Sequence, residues 1–273
     1  MLGDYILVAS GQDLAGRTMV RCLQDRMGFE AGRQDGESKF VSGRYRHVKL
    51  HVTSDDLLHQ ERLDDAYPQA VAYIFLSKHK SDSKIPTLTC HCTGNFADNP
   101  YGGNPREIAI SYPSLQKRYL QALVAAKDKV PRYDITIEAS HHGPTSLKKP
   151  VLFAELGSSE SEWSDENAAL IICDALLSLL DEGFDRCDSV GIALGGTHYP
   201  TKFNKLLLES EFALAAVASK HNLEAIDQNM LDQMISKSIE PVTKIFVDSK
   251  GLGNQKERMM KMADKTGLEI VKV

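Results

Sequence analysis

Short apolar segments of strand character alternate with segments of helical periodicity along this chain, and this alternation constrains the fold more than any other feature. The segment 5–9 is apolar throughout, and from Leu14 to Met27 apolar residues recur at helical spacing. The same succession continues to residues 268–271. With 273 residues, 42% of them hydrophobic, the chain can bury one large core. We therefore predict a three-layer α/β/α sandwich around a mixed, mostly parallel sheet.

Strand segments are densest around residues 32–110, where 47–53 and 70–76 both have strand character. We expect this region to add a small peripheral sheet to a single α/β domain that spans residues 1–273. The polar, glycine-rich segment 32–43 is predicted to be an exposed hairpin or loop. The absence of a linker rich in proline, glycine or serine supports the single domain.

Composition argues against several classes of protein. The sequence has no run of about 18 apolar residues, so no membrane-spanning segment is expected. The first residues lack the basic start and apolar core of a signal peptide. Five cysteines, an odd number, fit free thiols in a reducing cytoplasm. The net charge of −5 argues against a non-specific polyanion binder but permits local basic patches.

Four of the predicted strands lead directly into histidines. The histidines that follow these strands are His79, His91, the pair His141-His142, and His198. Ligands bind at the carboxyl ends of strands in open α/β sheets. If the four strands lie in one sheet with the same sense, we expect their imidazoles to meet at one edge.

Such a cluster has the chemistry of a zinc site, because zinc takes imidazole and carboxylate ligands. The candidate ligands are His79, His91, His141, His142, His198 and Glu155, which stands on the strand after the His-His turn. A catalytic zinc site keeps one position for water and lowers its pKa from about 15.7 to near 7. Glu138, two residues before Ser140, is a candidate base or a carboxylate that orients a ligand.

Structural roles compete with these interpretations. For His47, His51 and His59 we favour ordinary, partly exposed polar side chains. The pair His141-His142 could also form a turn in which the imidazoles hydrogen-bond to backbone groups. For Glu155, a role in a buried salt bridge competes equally with metal ligation.

The motifs of other catalytic classes are missing. Cys90 and Cys92 flank His91, but on a strand they point to the opposite face, so buried free thiols are their default. The sequence has no Gly-x-Ser-x-Gly elbow, no phosphate-binding loop and no His-Glu-x-x-His helix, which disfavours serine hydrolases, kinases and zincins.

Several sequence blocks resemble the archaeal and plant-type D-aminoacyl-tRNA deacylase family. The blocks are SKH at 77–79, PTLTCHCTGN at 86–95, EASHHGPT at 138–145, FAELGS at 153–158, and GIALGGTHYPTKF at 191–203. The resemblance runs from Val8 to the C-terminus, and the His-His block is its most specific part. Cys90 and Cys92 lie outside the pattern.

The resemblance implies a zinc-dependent hydrolase that cuts the ester between a D-amino acid and the terminal ribose of tRNA. It also implies a core related to peptidyl-tRNA hydrolase and phosphorylase folds, and a link to the removal of aldehyde-modified aminoacyl groups. The resemblance does not assign the zinc ligands, which we infer from residue type and strand position.

In our mechanistic hypothesis the zinc is held by His142, His198 and either Glu155 or His79. His91 is the alternative ligand. Glu138 would help to deprotonate water. His141, or backbone N–H groups around Gly195-Gly196, would stabilise the oxyanion. The residues expected to contact the substrate are Asn95, Ser140, Gly143, Thr145, Gly195 and Thr197.

For tRNA binding we expect a basic surface. Its principal residues are Lys117, Arg118, Lys148, Lys149 and Lys202, and for each of them an ordinary solvated side chain is the competing interpretation. Two other functions stay open. One is a zinc peptidase or amidase on small acylated amino acids, and the other is a non-enzymatic RNA- or nucleotide-binding module. The expected oligomeric state is a monomer or a homodimer.

Overall fold

The structure is a computed structural model that describes residues 3–31 and 38–273. The strands are Asp4–Ser10 (β1), Phe29–Ala31 (β2), Ser38–Ser42 (β3), Val48–Thr53 (β4), Ala70–Lys80 (β5), Thr87–His91 (β6), Gly94–Asn95 (β7), Glu107–Ile108 (β8), Asp134–Ile137 (β9), Val151–Ser158 (β10), Val190–Leu194 (β11), Ala213–Ala218 (β12), Val242–Val247 (β13) and Glu269–Lys272 (β14). The helices are Leu14–Met27 (α1), Leu63–Ala66 (α2), Pro113–Ala125 (α3), Glu160–Trp163 (α4), Glu166–Glu182 (α5), Thr201–Glu209 (α6), Gln228–Ser236 (α7) and Lys256–Asp264 (α8). Single 3-10 turns occupy Leu57–His59, Lys127–Lys129, Leu223–Ala225 and Gly253–Gln255.

In the described parts of the chain, eight strands form a large sheet in the order β2-β3-β4-β1-β5-β10-β6-β9. Strands β4, β1, β5 and β10 are parallel, whereas β6 is antiparallel to β10 and pairs in parallel with β9. A second, all-parallel sheet has the order β12-β11-β13-β14. The predicted mixed α/β fold with a large, mostly parallel sheet is confirmed.

The histidine-bearing strands do not share one sheet and one sense, so this expectation was wrong. Strands β6 and β9 run opposite to β5, and β11 belongs to the second sheet. The strand-rich region is also not peripheral, because β4, β5 and β6 lie inside the large sheet. Residues 32–37 of the expected hairpin lie outside the described residues, and β2 and β3 pair in antiparallel fashion on either side of them. The single domain stays a prediction.

Helices α1, α3 and α5 cover one face of the large sheet with a core that includes Met19, Leu120 and Leu176. This core continues into the second sheet through Phe246 of β13. A separate cluster of buried apolar side chains, which includes Phe75 and Phe153, covers the opposite face of the large sheet. Within the described residues, none of the helices has the length and apolar character needed to cross a membrane.

Lys117 corrects one prediction made for α3. We expected this lysine on an exposed basic surface, but it is only 2% exposed. Its Nζ donates to the backbone carbonyls of Ser210 and Phe212, which precede β12. Periodicity missed this because a long lysine stem can bury its methylene groups and deliver its ammonium to distant carbonyls.

Candidate active site

Strand register brings the first three functional side chains together. β10 lies between β5 and β6, with Gly157 opposite His79 and Phe153 opposite His91. Residues two apart on a strand share a face, so Glu155 lies between the two histidines on the same face of the sheet. The site therefore lies on the face of the large sheet rather than at a shared carboxyl edge.

The segment after β9 links this face to the second sheet. The Ala139 N–H donates to the His198 carbonyl at 2.8 Å, and the Ser140 N–H donates to the Val217 carbonyl at 2.8 Å. These bonds hold the loop after β11 against Glu138 and the His-His pair. The histidines converge because this segment bridges two sheets, which the sequence pattern did not reveal.

Glu138 and Glu155 are buried carboxylates that depend on imidazoles for compensation. Glu138 Oε2 lies 2.7 Å from His198 Nε2, and Glu138 Oε1 lies 3.0 Å from His79 Nδ1. Burial raises the pKa of Glu138, but these contacts outweigh it and hold the pKa well below its usual range. For Glu155, burial and the nearby Glu138 raise the pKa, and contacts with His79 and His91 lower it to about 2. Both groups are therefore ionised at neutral pH.

His79 uses both ring nitrogens. Its Nδ1 lies 3.0 Å and 3.4 Å from the carboxylates of Glu138 and Glu155, and its Nε2 lies 2.8 Å from the Tyr199 hydroxyl. Burial lowers the pKa of His79, but the two carboxylates raise it to about 11. As an imidazolium, His79 offsets the buried negative charge of the two carboxylates.

His91, His141 and His142 form a compact group of imidazoles. Their Nδ1 atoms contact the backbone carbonyls of Cys92 at 3.2 Å, Ala139 at 2.9 Å and Gly143 at 2.7 Å. These contacts favour a proton on Nδ1, which leaves each Nε2 lone pair for a cation. His91 Nε2 is buried, lies 3.7 Å from Glu155, and makes no hydrogen bond within the described residues.

The protonation states of the pair agree with a ligand role. Burial and the neighbouring His91 lower the pKa of His141 well below its usual range and lower that of His142 to about 4. Neutral imidazole is the form that binds metals. The backbone of His142 has a φ of +43°, in the left-handed region that costs a residue other than glycine about 1–3 kcal/mol.

Three overlapping groups have ligand atoms within 4.8 Å of one another, and each group could hold a metal. The groups are His91-His141-His142, Glu138-His141-His198, and His79-Glu138-Glu155. The expected set of His142, His198 and Glu155 is not brought together as one group within the described residues. His141, predicted as an oxyanion contact, belongs to two of the groups.

A cavity of about 540 Å³ opens onto this cluster. Of the predicted residues, His79, Glu138, His141, His142, Glu155 and His198 line it, while His91 is fully buried. Sequence reasoning missed the remaining lining residues, which include Asp13, Leu58, Lys78, Lys80 and Tyr101. The only sequence signal for Tyr101 is its place in a segment rich in glycine and proline, residues 95–106.

Four of the residues predicted to contact substrate instead make internal contacts. The Ser140 hydroxyl accepts the Val217 N–H at 3.1 Å. Thr145 is fully buried, and its hydroxyl donates to Glu107 at 2.8 Å. The Asn95 amide donates to the Gly102 carbonyl at 2.8 Å. At Gly143, a Cβ would lie 2.3 Å from the Gly103 nitrogen, so this glycine permits two loops to pack closely.

At the Gly195-Gly196 turn, one of the backbone N–H groups expected to stabilise the oxyanion is already bonded. The Gly195 N–H donates to the Ala218 carbonyl at 2.9 Å, and the Gly196 nitrogen faces Gly251, whose Cβ would lie 2.3 Å from it. The positive φ values of both glycines, +102° and +78°, form a tight turn. Thr197 is exposed, and its hydroxyl donates to the Tyr199 carbonyl at 2.7 Å.

The other predicted basic residues remain near the surface. Lys148 is exposed, Lys149 and Arg118 are half-buried, and Arg118 contacts Gln121 and the Asp185 carbonyl. Lys202 is exposed and pairs with Asp248 at 2.9 Å. This ion pair offsets the positive charge of Lys202, so less of that charge is available to bind tRNA.

The histidines and cysteines that we interpreted as structural differ in their burial. His47 and His59 are exposed, but His51 is buried with its Nδ1 3.1 Å from the Tyr67 hydroxyl, so its predicted exposure was wrong. Cys90 and Cys92 are buried free thiols, as their default interpretation predicted.

The fold and the cluster define a mixed α/β protein with a buried group of histidines and glutamates, able to hold a metal, at the base of a cavity. A family model described as D-aminoacyl-tRNA deacylase matches residues 66–271. The chain belongs to this family.

Relatives and a solved structure agree with this assignment. The chain is similar to the D-aminoacyl-tRNA deacylase of Cenarchaeum symbiosum, with 37% identity over 97% of this chain and 98% of that protein. It is 31% identical to the Thermococcus onnurineus protein of the same name, over 98% and 99% of the two chains. A crystal structure described as a conserved protein of unknown function has a TM-score of 0.90 and 26% identity, and the match covers 99% and 95% of the two chains.

Proposed function

We propose that the protein hydrolyses the ester that links a D-amino acid to tRNA, releasing the free amino acid and tRNA, and that the reaction occurs at this cluster. The family assignment supports the reaction. The observation that carries the location is the group of three imidazoles whose Nδ1 atoms contact backbone carbonyls beside an open cavity. Aminoacyl-tRNA is consumed by ribosomes, so the proposed compartment is the cytoplasm.

Zinc is the proposed cofactor, with His91, His141 and His142 as its ligands. The donor set fits, because three histidines are a known ligand set of catalytic zinc that keeps one position open. Burial lowers the pKa of His91, but Glu155 outweighs it and raises the pKa, so zinc would displace a proton from this ring on binding. When bound, zinc would supply Lewis acidity that polarises the ester carbonyl or lowers the pKa of water.

Glu138 and His198 are the proposed pair for proton transfer. His198 is 44% exposed in its side chain and lines the cavity, so it can receive a proton from an attacking water. Glu138 is only 1% exposed and touches His198 Nε2 at 2.7 Å. Because its pKa is lowered, this carboxylate stays ionised and stabilises the imidazolium that forms. His79 contacts both Glu138 and Glu155, so its imidazolium holds Glu138 in place and balances its charge.

Matched D- and L-tyrosyl-tRNA provide the test. The wild type is expected to deacylate the D-ester selectively, and a chelator is expected to abolish the reaction until zinc is restored. His142→Ala removes one proposed ligand and should lose both activity and bound zinc. His59→Ala, an exposed histidine outside the cavity, is the matched control. Full activity of His142→Ala in the presence of chelator would refute the proposed centre.

A small substrate separates this function from its closest alternative. D-tyrosyl-adenosine carries the same ester without the tRNA body. If its kcat/KM equals that of D-tyrosyl-tRNA, the protein is better described as a hydrolase of small acylated amino acids. The proposal expects the full tRNA to be the better substrate.

A further inference from the structure

Tyr101 is an exposed aromatic side chain at the cavity of the proposed active site. Its exposed fraction is 66%, the largest among the exposed large hydrophobic residues in the described part of the chain. It lines the same cavity as His141 and His142. Exposing a large ring costs hydrophobic burial, so an aromatic residue in this position is well suited to a ligand.

The loop that carries Tyr101 is fixed from both sides. Asn95 donates to the carbonyls of Gly102 at 2.8 Å and Asn104 at 3.0 Å, and Asn99 donates to the Gly103 carbonyl at 2.7 Å. The Gly143 N–H also donates to the carbonyl of Tyr101 itself, at 3.1 Å. The ring is thus presented on a backbone held one residue from His142.

The surroundings of Tyr101 suit a nucleotide. Lys78 and Lys80, both exposed at the end of β5, line the same cavity and can provide positive charge for a phosphate. The Lys78 Nζ lies 5.7 Å from the centre of the Trp163 ring, and Asp13 and Asp56 also line the cavity. Leu57 and Leu58 add apolar surface. A nucleotide has a planar base, a polar ribose and a charged phosphate, which match the aromatic ring, the polar cavity and the lysines respectively. An amino-acid side chain matches this combination less well.

We propose that Tyr101 is the stacking platform for the terminal adenine of the tRNA substrate. The inference rests on the proposed function and adds a subsite to it. A nucleoside carries its base and its esterified oxygen on one ribose, so a base stacked on Tyr101 would hold the ester beside His142. Base–aromatic stacking is tolerant of sequence and needs no directional partner on the ring.

Kinetics of Tyr101→Ala, Tyr101→Phe and wild type on D-tyrosyl-tRNA and D-alanyl-tRNA provide the first test. Stacking is made in the ground state and kept in the transition state, so its loss should raise KM with little change in kcat. For Tyr101→Ala we expect an increase of about 5- to 150-fold with both substrates, and for Tyr101→Phe nearly wild-type values. Val124→Ala, an exposed apolar residue on α3 outside the cavity, is the control.

A binding measurement separates this inference from the proposed reaction. The probe is an RNA acceptor hairpin whose terminal adenine is replaced by 2-aminopurine, a base whose fluorescence falls when it stacks. Wild type and Tyr101→Phe should quench it, whereas Tyr101→Ala should not. Quenching by a protein without deacylase activity would support the subsite and refute the reaction.

Two results would overturn the inference. One is equal quenching by wild type and Tyr101→Ala. The other is a KM effect confined to D-tyrosyl-tRNA, because that result would place the amino-acid side chain, not the base, against Tyr101. Circular dichroism of Tyr101→Ala shows whether the variant is folded. Near-wild-type KM and quenching by Tyr101→Phe provide a second check that the aromatic ring, not the fold, carries the effect.

Discussion

Glu138 Oε2 lies 2.7 Å from His198 Nε2, although Glu138 directly follows β9 of the large sheet and His198 follows β11 of the second sheet. Neither residue belongs to a local motif with the other, since sixty positions of chain separate them. The contact exists because the Ala139 N–H binds the His198 carbonyl. Charge and geometry at the cluster thus depend on the packing of two sheets.

Glu138→Gln should lower kcat by about 100-fold or more, because the amide keeps the shape but cannot stabilise a protonated His198. Single-turnover deacylation of D-tyrosyl-tRNA measures this directly. Glu224→Gln, an exposed glutamate outside the cavity, should be unaffected. A Glu138→Gln enzyme with wild-type kcat would remove Glu138 from the mechanism.

Tyr199→Phe should lower kcat by about 10-fold while the protein stays folded. The change removes the hydroxyl 2.8 Å from His79 Nε2, and groups that orient active-site histidines have effects of about this size. The measurement is kcat together with the unfolding midpoint in urea. Tyr45→Phe, in a core aromatic pair with Phe29, provides the comparison. If both variants keep wild-type kcat, His79 needs no orientation by Tyr199.

Lys117→Met should reduce the free energy of unfolding by about 1–3 kcal/mol, because the carbonyls of Ser210 and Phe212 lose their buried donor. Lys129→Met, an exposed lysine, should change it by less than about 0.5 kcal/mol. Urea titration measures both. The KM for D-aminoacyl-tRNA should not change in Lys117→Met. An increased KM with unchanged stability would instead support the original prediction that Lys117 contacts tRNA.

Gly143→Ala should lose most activity, because the new Cβ would lie 2.3 Å from the Gly103 nitrogen and push apart the loops that carry His142 and Tyr101. Gly43→Ala is the matched control, since a Cβ there meets nothing within 4 Å. Deacylation rate and thermal midpoint are measured for both variants. Wild-type activity in Gly143→Ala would show that the two loops separate without harm.

Asp165→Asn should destabilise the protein at pH 7 by about 1 kcal/mol, and less at pH 3. Burial raises the pKa of Asp165, but Arg132, the Ala168 N–H and Tyr133 outweigh it and lower the pKa. A carboxyl with a lowered pKa contributes stability above its unfolded pKa of about 3.9, and the contribution is lost as pH falls through the folded pKa. Urea titrations at both pH values measure it, with the exposed Asp82→Asn as control. An equal difference at both pH values would contradict the linkage.

Local structure was predictable where caps and periodicity agree. The bounds of α1 match the predicted segment Leu14 to Met27, and Asp13 caps α1 by accepting the Gly16 N–H at 2.9 Å. The polar segment 57–67, which is followed by Pro68, indicates one short helix by its sequence, but it forms a 3-10 turn and the short α2. Pairing partners were not predictable, because nothing in the sequence of β6 indicates that it runs antiparallel to β10.

The candidate site was predictable in its residue types but not in its arrangement. Strands that end in histidine identified the imidazoles, yet the grouping of His91 with His141 and His142 depends on sheet register and on the segment after β9. Thr145 and Asn95 belong to recognisable sequence blocks, but they fix loops that present other residues. Tyr101 gave almost no signal, since an exposed tyrosine in a loop is common.

The hydrogen bonds that join Ala139 to His198 and Ser140 to Val217 make the second sheet a mechanical support of the catalytic groups. Any perturbation that slides this sheet by a fraction of an ångström would stretch the contact between Glu138 and His198 before it exposed any core. Turnover should then decline on heating ahead of global unfolding, because the boundary between the two sheets would loosen before the core is exposed.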